Sequence, residues 1–154
     1  MTPEQIQDAV SKAIQSDHWM VRTDDEGKSH NGFHWKGIGQ WTTPANFSEA
    51  ATCKSGGLFG QSRQHSGFNS CRCRVVFCET GRHRIGIDGD KVKTEKARIL
   101  LVNDLSLAQG MKFEGNLSLA GCTGLTALPE GLSVGGWLNL NGCTGLTALP
   151  EHLK

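Results

Sequence analysis

The sequence of 154 residues contains no tyrosine, only four prolines and almost no net charge. Its 16 Lys and Arg residues are balanced by 15 Asp and Glu residues, for a formal net charge of +1. This balance excludes both an acidic mimic of DNA and a protein that coats nucleic acid through overall positive charge. No apolar run approaches the ~20 residues of a membrane-spanning helix. The N-terminus also lacks the basic and apolar segments of a signal peptide, so we expect a cytoplasmic protein that does not engage a membrane.

Glycine is the residue in excess, with 20 copies, which is typical of turn-rich, mostly β chains. One helix is nevertheless well marked near the N-terminus. Thr2 is a good N-cap, Pro3 suits the first helical position, and Gln5 completes a capping box. The following apolar residues fall on one face at helical spacing and predict a helix that ends near residues 16–17: Ile6, Val10, Ala13 and Ile14.

The middle of the chain has the patterns of short β-strands. Alternation of side chains predicts strands over residues 71–78 and 82–87, with further strands at 91–93 and 97–102. We therefore predict an α+β, mostly β fold, in which residues 1–102 form the helix and a small antiparallel β module. The apolar strand at residues 99–102 leads directly into the next region, so we expect one continuous sheet through both parts.

Residues 103–154 contain an internal repeat. The segment 117–132 recurs at 138–153, with an offset of 21 residues and identity at 13 of 16 positions. A degenerate earlier copy can be traced through Leu107, Met111 and Phe113. The pattern L-x-L-x-x-C-x-x-L-x-x-L-P with this period predicts a short leucine-rich-repeat solenoid of two to three turns, in which Cys122 and Cys143 pack inward.

The last predicted repeat strand leaves an edge that favours self-association. Trp137 precedes this strand, at the position where the previous copy has Asn116, and Leu138 and Leu140 lie in the strand. An uncovered strand edge with apolar neighbours pairs readily with another chain, which predicts a homodimer. The Trp137 ring either anchors this interface or folds over the end of the solenoid.

The positive charge is concentrated in residues 61–98, which carry nine basic and four acidic side chains. If the strands at 71–78 and 82–87 pair, their arginines form a cationic surface able to bind phosphates or an acidic protein. The alternative is a solvated face of the sheet. The predicted partner-binding residues are Arg72, Arg74, Arg82, Arg84, Lys91 and Lys93.

Two other kinds of site are suggested more weakly. Four cysteines outside the repeat are candidate zinc ligands, but their spacing lacks paired C-x2-C motifs, and buried thiols are the simpler interpretation: Cys53, Cys71, Cys73 and Cys78. The Gly-rich segment 55–60 is a candidate loop around the phosphate of a nucleotide. No motif implies a catalytic residue, and we expect no cofactor.

Several motifs together resemble a family of uncharacterised phage and prophage proteins. They are Asn31-Gly-Phe-His-Trp-Lys-Gly37, Asn46-Phe47, Cys53-Lys-Ser-Gly-Gly-Leu-Phe-Gly60, Ile87-Asp-Gly-Asp-Lys-Val-Lys93 and Ala97-Arg-Ile-Leu-Leu-Val102. The amino-acid sequence of the repeat is also similar to that of phage-encoded repeats, so the resemblance covers roughly residues 30–154. Phe59 stands where family members usually have His. The resemblance implies an origin in a mobile element and no particular chemistry.

These observations favour a non-enzymatic protein of a phage or mobile element that binds another protein. A small, nearly neutral chain without a catalytic constellation is typical of a stoichiometric inhibitor. We expect it to occlude a surface of a bacterial host defence complex, including one that binds nucleic acid, in the manner of an anti-CRISPR protein. The alternatives are an enzyme or binder of nucleotides or nucleic acid acting through segment 55–60, and a zinc-stabilised binding module.

Overall fold

The computed structural model describes residues 1–25, 33–44, 46–49, 57–66, 74–87 and 91–154. The predicted helix is confirmed as α1, Pro3–Ser16. Thr2 accepts a hydrogen bond from the Gln5 N–H at 3.1 Å, and the Gln5 side chain accepts one from the Thr2 N–H at 2.8 Å. Asp17 ends the helix in the left-handed region, at φ 60°.

Ten strands follow the helix in the described residues, so the α+β, mostly β class is confirmed. The six longer ones precede the repeat: β1 (Trp19–Asp24), β2 (Leu58–Gly60), β3 (Arg74–Thr80), β4 (Arg84–Ile87), β5 (Lys91–Thr94) and β6 (Ala97–Val102). Four two-residue strands lie within the repeat: β7 (Lys112–Phe113), β8 (Leu117–Ser118), β9 (Ser133–Val134) and β10 (Leu138–Asn139).

The six longer strands form two antiparallel sheets, with orders β1-β3-β6 and β2-β5-β4. In the first sheet, Val21 lies opposite Phe77, and Phe77 lies opposite Leu101. β3 and β4 are consecutive in the chain but belong to different sheets. They therefore do not pair with each other.

The β1-β3-β6 sheet is buried on both faces, which explains why β3 shows no simple alternation of buried and exposed residues. One face packs with α1 and the repeat, through residues such as Val75 and Phe77. The other packs with Trp35 and with residues of the β2-β5-β4 sheet, through Val76 and Cys78. The alternating sequence predicts that this second face is exposed to solvent, but the β2-β5-β4 sheet covers it.

Residues 103–154 stack in parallel with an offset equal to the period of the repeat. Leu117 pairs with Leu138, and Phe113 pairs with Val134, in each case one full period further along the chain. Their leucines continue the apolar cluster beneath α1 and the first sheet. Among the strands of the described residues, β6 pairs with β3 and with no strand of the repeat, so the expected continuous sheet is not formed.

The structure of the first repeat copy differs from the sequence alignment that runs through Leu107, Met111 and Phe113. Asp104 bridges to Ala127, two positions beyond one full period, whereas Lys112 pairs with Ser133 at one period. The first copy therefore has two extra residues between these points. Leu105 occupies the buried position, at 0% exposure, and Leu107 is 39% exposed.

Asn103 joins the β module to the repeat. Its backbone has φ 62°, a conformation that Asn tolerates better than most residues. The Asn103 N–H donates to the Val75 carbonyl at 2.7 Å, and its side-chain oxygen accepts the Val75 N–H at 2.9 Å. Its own carbonyl accepts the Thr126 N–H at 2.9 Å. One residue thus connects β3, the end of β6 and the repeat.

We predict that Asn103→Ala lowers the free energy of unfolding by about 2–4 kcal/mol, because it removes a hydrogen bond to a buried strand and places a Cβ-bearing residue without a polar side chain at positive φ. Asn103→Asp keeps an acceptor and should cost less than half as much. Urea unfolding of the three proteins measures the difference. Equal stability of the Ala variant and the unaltered chain would contradict the assignment.

Candidate functional site

The six basic residues predicted to form one surface lie in different environments. Arg72 lies outside the described residues. Arg74 begins β3, Arg82 follows the other end of β3, and Arg84 begins β4. Because β3 and β4 are in different sheets, the pairing that would gather the arginines does not occur.

Arg74 neutralises a buried carboxylate. Its Nε lies 2.7 Å from Asp24 Oδ1, and its Nη2 lies 2.9 Å from Asp24 Oδ2. The Asp24 side chain is completely buried, whereas that of Arg74 is 23% exposed. A buried carboxylate requires such a bidentate partner, because removing one ion of a buried pair leaves the other uncompensated. The main contact of Arg74 is therefore inside the protein.

Lys93 is also an interior residue, with 0% exposure in the central strand β5. Its Nζ lies 5.6 Å from the centre of the Phe47 ring. A Cβ at Gly57 would overlap the methylene groups of Lys93. Lys93 therefore cannot contact a partner at the surface as predicted, and neighbouring Lys91 is half-buried.

Arg84 is half-buried beside the end of α1, and this burial lowers the pKa of its guanidinium, an effect that Asp17 opposes. Asp17 also accepts a hydrogen bond from Arg63 at 3.0 Å. Arg63 Nε lies 3.6 Å from Glu114 in the repeat. This charged cluster links the helix end to the repeat.

Arg82 is exposed and lies in an open cleft beside α1, with a volume of about 810 Å³. The C-terminal half of the helix forms one side of this α1 cleft, and the segments around the ends of β3 and β5 form the other. The lining residues are Lys12, Ala13, Gln15, Ser16, His18, Trp41, Glu79, Thr80, Gly81, Arg82, His83, Glu95 and Lys96.

Trp41 lines one part of this cleft, and charged side chains surround its ring. Lys96 Nζ and Arg98 Cζ each lie 4.9 Å from the centre of the Trp41 ring. Arg98 is held by Glu79 through an Nε–Oε1 contact of 2.6 Å. Within the described parts of the chain, neither Lys96 nor Arg82 has such an ion pair. The exposed carboxylate of Glu95 lines the same cleft.

Thr80 adds a buried polar group to the lining. The residue is 4% exposed, and its hydroxyl has no hydrogen-bond partner in the described structure. A buried hydroxyl without a partner costs about 1–3 kcal/mol of stability. Nearby, His83 Nε2 lies 3.0 Å from Glu49, and the His83 ring meets Phe47 edge-on.

The cysteine candidates are not gathered within the described residues. Cys53, Cys71 and Cys73 lie outside those residues. Cys78 is completely buried, and burial raises the pKa of its thiol to about 12. In the ranges that the structure describes, no group of three or more His, Cys, Asp or Glu residues could hold a metal ion.

The described part of the Gly-rich segment 55–60 is a strand and not a loop. Leu58–Gly60 forms β2, antiparallel to β5. A Cβ at Gly60 would meet the Met20 side chain at 2.8 Å. The glycines at 57 and 60 therefore permit close packing, while residues 55 and 56 lie outside the described residues.

The predicted interface residues of the repeat lie at its last copy. Trp137 is 52% exposed. Leu138 and Leu140 are half-buried and pack against the main apolar cluster. Cys122 is buried, as predicted, whereas Cys143 is half-buried.

Sequence reasoning missed Trp41, Thr80 and Lys96 as members of one cleft. Lys96 belongs to the basic segment, and Trp41 is one of the aromatics spaced through residues 33–59. No periodicity connects them, because Trp41 lies in an irregular segment whose path is set by tertiary contacts. One of these contacts is the mutual backbone pairing of Thr42 with Ala97, at 2.7 and 3.1 Å.

Comparison of the chain with protein-family models, curated proteins and solved structures found no match. The resemblance to phage and prophage proteins therefore stays a prediction. Among the described residues, no helix has the length and apolar character needed to cross a membrane.

We predict that Arg74→Met lowers the free energy of unfolding by about 3–5 kcal/mol, since it leaves the Asp24 carboxylate buried and uncompensated. Arg82→Met, at an exposed position, should change it by less than about 0.5 kcal/mol. Urea titration of both variants tests the contrast. If the two substitutions cost the same, Arg74 is not a structural residue.

A second prediction concerns Cys78. Because its thiol is buried and its pKa is raised to about 12, it should not react with a water-soluble thiol reagent at pH 8 in the folded protein. Peptide mapping by mass spectrometry should find Cys78 unlabelled under native conditions and labelled after denaturation. Labelling of native Cys78 at the rate of an unfolded control would refute its placement in the core.

Proposed function

We propose that this chain is a non-enzymatic protein-binding module that inhibits a bacterial host defence complex by occluding one of its surfaces. In this proposal it originates from a phage or mobile element and acts in the cytoplasm of the host cell. The parallel stacking of residues 103–154, with an offset of one repeat period, supports a short leucine-rich-repeat solenoid. Such repeats present regular surfaces to protein partners.

The α1 cleft is the observation that carries this proposal. Arg82 and Lys96 place two cations without ion pairs in the described structure at a groove that is also lined by the half-buried Trp41 ring, which Lys96 contacts. Arginine and tryptophan are enriched among the residues that dominate protein interfaces. The combination suits an acidic segment of a protein partner.

The α1 cleft is also a better candidate for a partner-binding surface than the predicted patch of six cations. Arg74 and Lys93 are engaged inside the protein, whereas Arg82 remains exposed. The cations contributed by the cleft come from separate turns, after β3 and after β5. A partner that contacts both cations must fit the space between α1 and these turns.

The test is an interference assay in a bacterium with an active CRISPR–Cas system. Expression of the unaltered chain should raise phage plaquing efficiency at least 100-fold, and a tagged chain should retain the effector complex at a fixed stoichiometry. The variant Arg82→Glu/Lys96→Glu should lose both effects, because two interface cations contribute about 2 kcal/mol or more each. Its melting temperature should be unchanged.

The matched control is Lys36→Glu/Lys112→Glu, which makes the same change in net charge at two exposed residues outside the cleft. This control should inhibit like the unaltered chain. Full inhibition by the folded cleft variant would reject the cleft as the contact. Absence of any protection by the unaltered chain would reject the proposed target class.

A further inference from the structure

Gly81 lies in the wall of the α1 cleft, directly after β3, and it is buried. Its φ lies outside the left-handed region, so the backbone conformation does not require glycine. A Cβ at this position would lie 2.9 Å from Cγ and 3.2 Å from Cε of Lys96. Carbon atoms in contact are usually about 3.5–4.0 Å apart. The Lys96 side chain therefore occupies the space that a side chain at residue 81 would fill.

The backbone of Lys96 is fixed at the same place. Its carbonyl accepts the Gly81 N–H at 2.9 Å and the Thr94 hydroxyl at 3.2 Å. The first of these bonds joins the turn after β3 to the turn between β5 and β6. The Lys96 side chain therefore starts from a defined point and runs across Gly81.

The far end of the Lys96 side chain lies over an aromatic ring. Its Nζ is 4.9 Å from the centre of the Trp41 ring, within the range of a cation–π contact. Trp41 is itself held, because the adjacent Thr42 exchanges two backbone hydrogen bonds with Ala97, the residue after Lys96. Lys96 is nevertheless exposed and lines the cleft. Its ammonium is thus ordered and still accessible to a partner.

An ordered cation is an advantage in binding. A flexible lysine loses rotamer freedom when a partner immobilises it, and this loss weakens the complex. The cost of ordering one such side chain corresponds to about three- to tenfold in affinity. A lysine that the free protein already holds in place has lost part of this freedom before the partner binds. Glycine at position 81 therefore affects the strength of binding without contributing a charge.

We propose that Gly81 is a positioning residue of the α1 cleft, which leaves room for the Lys96 side chain and so holds its ammonium over Trp41, where it contacts an acidic segment of the partner. The contact with a partner rests on the proposed function, whereas the position of Lys96 does not. A methyl group at residue 81 should displace the Lys96 side chain, separate its ammonium from the ring and weaken binding. Because Gly81→Ala changes no charge, it separates the geometry of the cleft from its electrostatics.

NMR spectroscopy of the full chain without a partner tests the position of Lys96. The ring current of Trp41 should displace the ε-methylene proton signals of Lys96 from those of a solvated lysine. Gly81→Ala should return these signals towards the solvated position, and Trp41→Leu should do so as well. Gly37→Ala is the matched control, since a Cβ at this exposed glycine would have one contact within 4 Å, at 3.9 Å, and it should leave the signals unchanged.

Binding of a fluorescent hexaglutamate peptide measures the consequence. Gly81→Ala should raise the dissociation constant about three- to tenfold, and Gly37→Ala should leave it unchanged. In the Lys96→Ala background, Gly81→Ala should have no further effect, because the side chain that it displaces is gone. The same background controls for folding: if Gly81→Ala alone unfolds the chain, the double variant should fold, since the space beside residue 81 is then free.

Lys96 signals at the position of a solvated lysine in the unaltered chain would overturn the proposal. So would signals that Gly81→Ala leaves in place, an unchanged affinity for hexaglutamate in that variant, or an effect of Gly81→Ala that persists in full in the Lys96→Ala background. If the unaltered chain does not bind hexaglutamate at all, the acidic segment expected under the proposed function is rejected, whereas the NMR result still decides whether Gly81 positions Lys96.

Discussion

The repeat is held to the rest of the chain by the packing of three buried aromatic rings. Trp19 of β1 stacks on Phe77 of β3 at 5.9 Å and meets Phe113 of the repeat edge-on at 5.3 Å. A few short copies cannot bury their narrow core without neighbours. The β1-β3-β6 sheet supplies this neighbour, and α1 closes the same cluster from the side. The repeat and the module therefore share one interior.

The second layer of sheet determines which charges can take part in binding. Because β2-β5-β4 covers the far face of β3, Arg74 must balance Asp24 there, and Arg22 must lie over the Trp35 ring at 4.5 Å. Burial lowers the pKa of the Arg22 guanidinium, which shows the cost of placing cations in this layer. Arg82, which lies beyond the end of β3, keeps its charge at the surface.

Local patterns predicted α1, most of the strands and the period of the repeat, because capping, alternation and repetition are properties of neighbouring residues. Such patterns could not predict where the basic side chains lie in the structure. Alternation in β3 correctly put Arg74, Val76 and Cys78 on one face, but the sequence does not show that a second sheet covers it. The cleft was missed for a similar reason: Trp41 reaches Lys96 only because Thr42 pairs with Ala97. The two extra residues in the first copy shifted the alignment from Leu105 to Leu107.

The interior that the β module and the repeat share also fixes the walls of the α1 cleft. Ala13 of α1 and Val75 and Phe77 of β3 belong to one buried cluster, so packing holds the helix and the turn after β3 in place. The cleft itself presents few groups, namely Arg82 and Lys96, which have no ion pair in the described structure, and the half-buried Trp41 ring. Stable interfaces usually bury ~800 Å² per partner, so a partner that binds firmly must also contact the surfaces beside the cleft. Rigid walls favour such binding, because a surface that is already ordered loses less conformational freedom on association.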